Sequence, residues 1–257
     1  MLKPVDYDRR QQAVYARGRA VGPEVLATWM TALAGHAPAR RPLAVLDLGC
    51  GIGRFTPSLA ETFGGPVYGV EPSAGMRGQA ETSAPHPAVS YLEGRAEAIP
   101  LPDDSCDIVL MYLSFHHLRD RAAGAREIRR VLRPGGRLFL RSVFADRLPV
   151  THAQGWHRFF PRAAEIEAQM FPTLQQAKDV FAAVGLEPVA FDTIERPFTA
   201  SLAAHAEQLR HRAISTFEHM TEAEIAEGFA RLDAAIAAET TPQPQIGKED
   251  LLVLGVA

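Results

Sequence analysis

Apolar runs alternate with amphipathic stretches along most of the chain. Short segments rich in Val, Leu and Ile are separated by segments whose apolar residues recur at helical spacing. Such runs are typical of strands buried on both faces, and their alternation with helices favours parallel pairing through right-handed crossovers. The fold class predicted is therefore α/β, with a Rossmann-like, mostly parallel sheet of seven strands and helices on both faces. The predicted strands cover residues 45–48, 67–70, 88–92, 106–112, 137–143, 187–194 and 251–256.

Two segments are longer than this alternation needs, namely residues 145–172 and 197–245. They follow the fifth and sixth strands, and in a parallel sheet they would leave from the edge where ligands bind. They are therefore candidates for a helical cap, although helices packed only for stability remain an alternative. In the second segment we predict one helix whose apolar face runs from Leu202 to Phe217. Another begins at the capping box of Thr221 and Glu224.

The length of 257 residues and the apolar content of 47% allow one elaborated domain. We expect a single domain over residues 1–257, with a helical leader at 1–40, a cofactor-binding core at 41–144 and the two cap insertions.

A glycine-rich turn is the clearest chemical signal. The apolar strand at residues 45–48 runs directly into Gly49, Gly51 and Gly53. Glycines at alternate positions allow positive φ angles and let a ligand approach the backbone closely, as in nucleotide-binding turns. A dinucleotide fingerprint requires a third glycine where this chain has Arg54, and the sequence contains no Gly-Lys followed by Ser or Thr, which a phosphate loop requires. The turn therefore indicates a nucleoside-like ligand of another kind.

Charge and cysteine content narrow the function classes. The formal charge of -3 and the pI near 6.3 provide no broad basic field, so nucleic acid is not the favoured partner. Cys50 and Cys106 lie in buried patterns, which is typical of free thiols in a reducing compartment. Membrane insertion is not expected, because the sequence has no apolar run of about 18 residues. We predict a cytoplasmic protein whose oligomeric state is open.

Five motifs in order resemble those of the class I S-adenosylmethionine-dependent methyltransferases, specifically the small-molecule type 11, or UbiE-like, family. The resemblance covers about residues 41–143. The motifs are Asp47-x-Gly49-x-Gly51-x-Gly53, the ribose motif Val70-Glu71-Pro72-Ser73, the adenine motif at 94–101, Ser114-Phe115-His116-His117-Leu118, and Glu127-Ile128 with Leu132-Arg133-Pro134-Gly135-Gly136.

This resemblance implies S-adenosyl-L-methionine as cofactor and assigns residues to it. It places Glu71 at the ribose hydroxyls, Asp47 near the amino group and the Ala96 amide at adenine. Many relatives have Asp where this chain has Arg95, which has no acceptor, so Glu97, a backbone carbonyl or water is expected to meet the adenine amino group. The implied cofactor residues are Tyr15, Arg19, Asp47, Gly49, Cys50, Gly51, Gly53, Glu71, Pro72, Met76, Ala96, Glu97 and Leu113.

Histidines are the candidate catalytic residues, because a hydroxyl or ammonium acceptor must lose a proton and histidine suits that step near neutral pH. The candidates are His116 and His117 after the fourth strand, and His152 and His157 in the first insertion. No metal site is predicted, since no histidine joins a carboxylate set at ligand spacing. Trp156, Phe159 and Phe160 either line an acceptor pocket or form the core of the cap.

The function predicted is methyl transfer, in line, to an oxygen, nitrogen or carbon of a small metabolite. A tRNA-modifying enzyme is one alternative. Another is a cofactor-binding protein or an S-adenosylmethionine enzyme that does not methylate.

Overall fold

The computed structural model describes residues 22–151 and 155–256, and its centre is one sheet of seven strands. The strands are β1 (Leu43–Leu48), β2 (Gly64–Glu71), β3 (Val89–Glu93), β4 (Cys106–Tyr112), β5 (Leu132–Ser142), β6 (Leu186–Thr199) and β7 (Gln245–Val256). Their order in the sheet is β3-β2-β1-β4-β5-β7-β6. This arrangement confirms the predicted fold class.

Strand β1 lies at the point where the strand order reverses. It pairs in parallel with β2 on one side and with β4 on the other, and all six of its residues are buried. In such sheets ligands bind at the carboxyl ends of the strands on either side of the reversal. The glycine turn leaves β1 at this position.

Nine α-helices connect and flank the strands in the described residues. They are α1 (Pro23–His36), α2 (Thr56–Phe63), α3 (Ala74–Ser83), α4 (Arg121–Val131), α5 (Leu148–Thr151), α6 (Pro161–Met170), α7 (Leu174–Ala182), α8 (Leu202–Arg210) and α9 (Glu222–Ala238). Side-chain caps fix the helix starts: Ser73 accepts from the amide of Met76, and Asp120 accepts from that of Ala123. Across residues 22–151 and 155–256, no helix combines the length and apolar character needed to cross a bilayer.

The described residues divide into two compact units. The core unit contains 22–142, 175–192 and 251–256, and the insertion unit contains 143–151, 155–174 and 193–250. Both segments identified from the sequence thus lie in the insertion unit. Its apolar core consists of Trp156, Phe159, Phe160, Ala163, Leu202, Ala206, Leu209, Phe217, Ile225 and Leu232. The three aromatic residues of the first insertion are therefore core residues of this unit, while the role of the unit as a cap stays a prediction.

Two predicted boundaries of the second insertion were wrong. Strands β6 and β7 extend to Thr199 and back to Gln245, so the insertion between them covers only 200–244. The predicted sixth strand ended at residue 194 because Pro197 follows, and an edge strand such as β6 tolerates that proline. The helix predicted to continue to Phe217 ends at Arg210, because Arg212 adopts a φ of +51° that a helix cannot include.

The capping box of α9 is confirmed. The hydroxyl of Thr221 accepts from the amide of Glu224 at 3.2 Å, and Oε2 of Glu224 accepts from the amide of Thr221 at 2.7 Å. These reciprocal bonds satisfy two amides that the helix itself cannot pair.

Candidate cofactor site

The glycine turn, residues 49–53, has backbone angles at which residues other than glycine are strained. Gly49 and Gly53 each have a φ of +76°. A Cβ atom on Gly49 would lie 2.6 Å from Cβ of Ser114, and one on Gly53 would lie 2.4 Å from the hydroxyl oxygen of Tyr91. Glycine is thus required here both by backbone conformation and by the close packing of the turn against its neighbours.

The turn is joined to the end of β2 by hydrogen bonds. The amides of Gly49 and Cys50 donate to the carbonyl oxygen of Val70, at 2.8 and 3.2 Å. The amide of Gly51 donates to Oε2 of Glu71 at 3.0 Å, while Oε1 of Glu71 accepts from the amide of Ser73 at 2.9 Å. One buried carboxylate therefore joins the glycine turn to the start of α3.

Glu71 has the properties that a ribose-binding carboxylate requires. Its side chain is buried, and its position at the end of β2 places it beside the glycine turn. An ionised carboxylate can accept about four hydrogen bonds, so accepting from two amides is compatible with accepting from ribose hydroxyls. The residues present thus fit a nucleoside cofactor.

Asp47, on β1, is a buried carboxyl group that packs against the start of α2. Its Oδ2 accepts a hydrogen bond of 2.7 Å from the hydroxyl of Thr56. Burial raises the pKa of Asp47 to about 6, and the bond from Thr56 opposes that rise. Asp47 therefore changes charge close to neutral pH, which is where a neighbouring ammonium group would favour its ionised form.

Cys50, Met76 and Pro72 differ in their surroundings. Burial raises the pKa of the Cys50 thiol far above its usual range, so the sulfur is a neutral packing group rather than a nucleophile. Met76 is buried, and its Cε lies 3.4 Å from the position of a Cβ on Gly51. It therefore contacts the turn, whereas contact with adenine stays a prediction. Pro72 is exposed.

The adenine loop, residues 94–101, is a compact turn beside α4. Ala96 is buried, Arg95 is exposed, and the carbonyl of Arg95 accepts from the amide of Ala98 at 3.0 Å. Oε1 of Glu97 accepts from the amides of Arg119 and Asp120, at 2.8 and 3.2 Å. One oxygen of the acceptor predicted for adenine is thus bound by the start of α4, which the sequence did not indicate.

The end of β4 holds unusual backbone. Leu113 has a φ of +57°, and its amide donates to the carbonyl of Arg141 at 2.9 Å. The hydroxyl of the next residue, Ser114, donates to the carbonyl of Leu48 at 2.7 Å. Strained non-glycine backbone of this kind is concentrated at functional sites, because the surrounding structure must stabilise it. Leu113 was among the residues predicted for the cofactor.

A cluster around Tyr112 was missed by sequence reasoning. The ring of Phe55 stacks on Tyr112 with centroids 4.2 Å apart, and Trp29 contacts it edge-on at 5.3 Å. The buried guanidinium of Arg141 lies 5.1 Å from the centroid of the same ring. The sequence did contain one indication of this cluster, because Arg141 is a charged residue inside the apolar run of the fifth strand.

The histidines fall in two places. His116 and His117 form a 3-10 turn after β4, with ring centroids 3.8 Å apart. In the insertion unit, Nε2 of His157 lies 3.0 Å from Oε2 of Glu167, and both side chains are almost fully buried.

Glu167 is also bound by a hydroxyl, because its Oε1 accepts from Oγ1 of Thr216 at 2.8 Å. Sequence reasoning proposed His157 but missed Glu167 and Thr216, which no spacing connects to it.

Three predicted site residues, Tyr15, Arg19 and His152, lie outside the described residues. In the part of the chain that the structure describes, no three His, Cys, Asp or Glu side chains are grouped so that they could bind a metal ion.

A glycine turn at the reversal of strand order, followed by a buried carboxylate at the end of β2, defines a class I methyltransferase-like nucleoside-binding fold. Residues 46–140 match the family described as Methyltransferase domain. The chain is also 31% identical over 195 residues to 27-O-demethylrifamycin SV methyltransferase of Amycolatopsis mediterranei, covering 72% of this chain and 70% of that protein. The chain belongs to the class I S-adenosylmethionine-dependent methyltransferases.

Other similar proteins match only part of this chain or have low sequence identity to it. The uncharacterized methyltransferase Rv3342 of Mycobacterium tuberculosis is 41% identical over 126 residues, covering 49% of this chain and 47% of that protein. The chain thus spans about half the length of the curated relatives that it matches at this identity.

Two solved structures share the fold. A protein of an antibiotic biosynthesis pathway from Anabaena variabilis has a TM-score of 0.68 and 23% identity, covering 90% of this chain and 97% of that one. The [4+2]-cyclase SpnF has a TM-score of 0.62 and 19% identity, covering 93% and 84%.

Proposed function

We propose that this chain transfers a methyl group from S-adenosylmethionine to an oxygen, nitrogen or carbon atom of a small metabolite. The observation that carries the proposal is the carboxylate of Glu71, which is buried at the end of β2 and hydrogen-bonded to the glycine turn at Gly51. A carboxylate placed there is suited to bind a ribose diol against bare backbone.

Each cofactor-binding residue has a separate role in the proposal. Glu71 binds the ribose hydroxyls, Asp47 attracts the ammonium group, and the adenine loop meets the base through Ala96 and Glu97. When bound, S-adenosylmethionine supplies an activated methyl group on a sulfonium. The protein then has to orient an acceptor atom and exclude water, and orientation alone accounts for a large part of the rate enhancement in many enzymes.

A small-molecule acceptor is supported by the relatives and by charge. The name 27-O-demethylrifamycin SV methyltransferase gives that protein a small-molecule acceptor and an oxygen as methylated atom. The net charge of -3 disfavours contact with phosphate backbones.

A hydroxyl or ammonium acceptor needs a general base, and the histidines predicted from the sequence, among them His157, are the candidates for that role. A carboxylate beside an imidazole fixes its orientation and stabilises the imidazolium that forms when it takes a proton. Glu167 has that relationship to His157, and Thr216 fixes the other oxygen of Glu167. His116 and His117 stay candidates for the same role.

A second candidate function is an enzyme of this fold that does not methylate. The likeness in fold to the [4+2]-cyclase SpnF is the observation that favours it. The two functions differ in whether a methyl group leaves the cofactor.

The experiment that tests the proposal has two parts. Calorimetry measures the dissociation constant of S-adenosylhomocysteine for the full chain, and incubation with methyl-labelled S-adenosylmethionine and a broad metabolite extract tests for labelled small products. Binding together with labelled product supports the proposal. Binding without labelled product in any extract favours the second function, and absence of binding overturns both. Labelled tRNA in a parallel reaction would indicate an RNA-modifying enzyme instead.

A further inference from the structure

The side chain of Arg130, on α4, binds the backbone of the adenine loop. Its guanidinium donates to the carbonyl oxygens of Ile99 at 3.0 Å and of Leu101 at 2.8 Å. It also donates to Oδ1 of Asp103 at 2.9 Å, two residues beyond the loop. One arginine thus binds three successive points of the segment that follows Ala96 and Glu97.

Glu127 lies one helical turn before Arg130 and completes this contact. Its two carboxylate oxygens accept from Nε and Nη2 of Arg130, each at 2.7 Å, and Oε2 also accepts from the amide of Ile99 at 2.9 Å. The bond from Arg130 lowers the pKa of Glu127, so the carboxylate stays ionised at neutral pH. Glu127 and Arg130 therefore bind both the amide and the carbonyl of Ile99. We name this ion pair the arginine clamp.

The same helix also holds the beginning of the loop. Glu97 accepts from the two amides that precede α4, as described above. Within α4, a Cβ added to Gly124 would lie 3.5 Å from Cβ of Ala96. The adenine loop is thus attached to α4 at Glu97 as well as at Ile99 and Leu101, and Ala96 is adjacent to the first attachment.

The clamp is separate from the face that packs α4 into the core. That face consists of Ala125, Ile128 and Val131, each of which is fully buried. Arg130 and Glu127 instead retain 29% and 23% side-chain exposure. Loss of the clamp should therefore release the loop while the apolar packing of the helix is retained.

We propose that the arginine clamp positions the adenine subsite, so that the amide of Ala96 and the carboxylate of Glu97 are in place before the base arrives. This inference rests on the proposed function, because it takes the loop to be the adenine subsite. A loop ordered in advance lowers the entropy cost of binding. Charge-assisted bonds from one planar guanidinium to several acceptors suit that task better than the point charge of a lysine.

The test compares Arg130→Met, Arg130→Lys and Glu127→Gln with Arg126→Met, which changes an exposed arginine on the same helix. Hydrogen exchange of the Ile99 amide in the ligand-free protein reports whether the loop is held. Calorimetry then gives the dissociation constants of S-adenosylhomocysteine and of S-inosylhomocysteine, in which a carbonyl replaces the adenine amino group. Thermal unfolding shows whether each variant is folded.

In Arg130→Met we expect faster exchange at Ile99, a dissociation constant for S-adenosylhomocysteine raised about tenfold, or about 1.4 kcal/mol, and a smaller preference for adenine over hypoxanthine. Arg130→Lys should give effects of intermediate size, because it keeps the positive charge but loses the planar guanidinium that binds several acceptors. Arg126→Met should match the wild type. Unchanged affinity and base preference despite faster exchange overturn the inference. Equal weakening of both ligands in step with thermal stability also overturns it, since that is a structural defect only. If the wild type binds neither ligand, the proposed function itself has failed.

Discussion

Oε2 of Glu71 accepts a hydrogen bond of 3.0 Å from the amide of Gly51, although 20 residues separate the two along the chain. The bond joins the residue proposed to bind ribose to the glycine turn. Rigidity of the turn and the proposed recognition of ribose therefore depend on the same carboxylate.

Glu71→Gln should weaken binding of S-adenosylhomocysteine at least tenfold. An amide has one acceptor oxygen where Glu71 presents two to the amides of Gly51 and Ser73, so one backbone donor would face the NH2 group. Calorimetry measures the loss. The matched control is Glu93→Gln, because Glu93 is in register with Glu71 on β3 but its side chain is 79% exposed. Equal affinity of Glu71→Gln and the wild type would contradict the proposed ribose contact.

Asp47→Asn should make the protein more stable at pH 8. The folded-state pKa of Asp47 is raised from 3.8 to about 6, so its stabilising contribution is complete below about pH 4 and is lost as the pH rises through 6. The ionised carboxylate then costs about 3 kcal/mol, which asparagine avoids. Urea unfolding at pH 5 and pH 8 measures the difference. A variant less stable than the wild type at pH 8 would show that the bond to Thr56 outweighs burial.

The affinity for S-adenosylhomocysteine should rise as the pH increases from 5 to 7. In the proposed site, ionised Asp47 attracts the ammonium group of the ligand, and Asp47 becomes protonated as the pH falls through about 6. Calorimetry across this range should show the rise in the wild type and a flatter profile in Asp47→Asn. The same slope in both proteins would place the ammonium group away from Asp47.

His157→Gln tests whether His157 is the general base, because loss of a general base should lower kcat for a hydroxyl or ammonium acceptor by about 10²- to 10⁴-fold. Glu167→Gln should have a smaller effect in the same direction, because it leaves the imidazole in place but removes its carboxylate partner. Binding of S-adenosylhomocysteine should not change in either variant. Steady-state kinetics with the acceptor found in the labelling experiment tests this, with His117→Gln as the comparison. Full activity of His157→Gln would exclude the assignment.

His205, on α8, should make the protein sensitive to acid. Both of its ring nitrogens are buried without a hydrogen-bond partner among the described residues, and burial lowers its pKa to about 4. The neutral form is therefore favoured in the folded state, and stability falls as the pH drops from about 6.5 towards 4. At pH 5 the loss should be about 2 kcal/mol.

Replacement of His205 by Phe should remove that loss, because Phe has no ionisable group and the site already contacts the ring of Phe198. Denaturant unfolding at pH 7.5 and pH 5.0 measures it. The control is His211→Phe, since His211 is exposed just after the same helix. An unchanged pH dependence in His205→Phe would assign the acid sensitivity to other groups.

The local sequence pattern was sufficient to predict much of the fold and many positions of the proposed cofactor site. Strand β4 was predicted with its exact bounds, because a continuous apolar run is the signature of a strand buried on both faces. Gly49 and Gly53 were predicted because positive φ and close packing exclude other side chains at those positions. The extent of β6 and the end of α8 were predicted wrongly, since an edge position tolerates proline and a single residue at positive φ can end a helix whose pattern continues.

The sequence by itself determined which residues are buried, where the chain turns and which family it belongs to, because those properties follow from periodicity and from the conformational limits of single residues. Only the tertiary structure decided which side chains meet. Arg130 binds carbonyls 29 and 31 residues away, and Glu167 joins His157 to Thr216, 49 residues from Glu167. These contacts depend on how separate helices and loops pack against one another, and the local sequence pattern does not specify that packing. The clamp and the His157–Glu167 pair therefore became visible only in the folded chain.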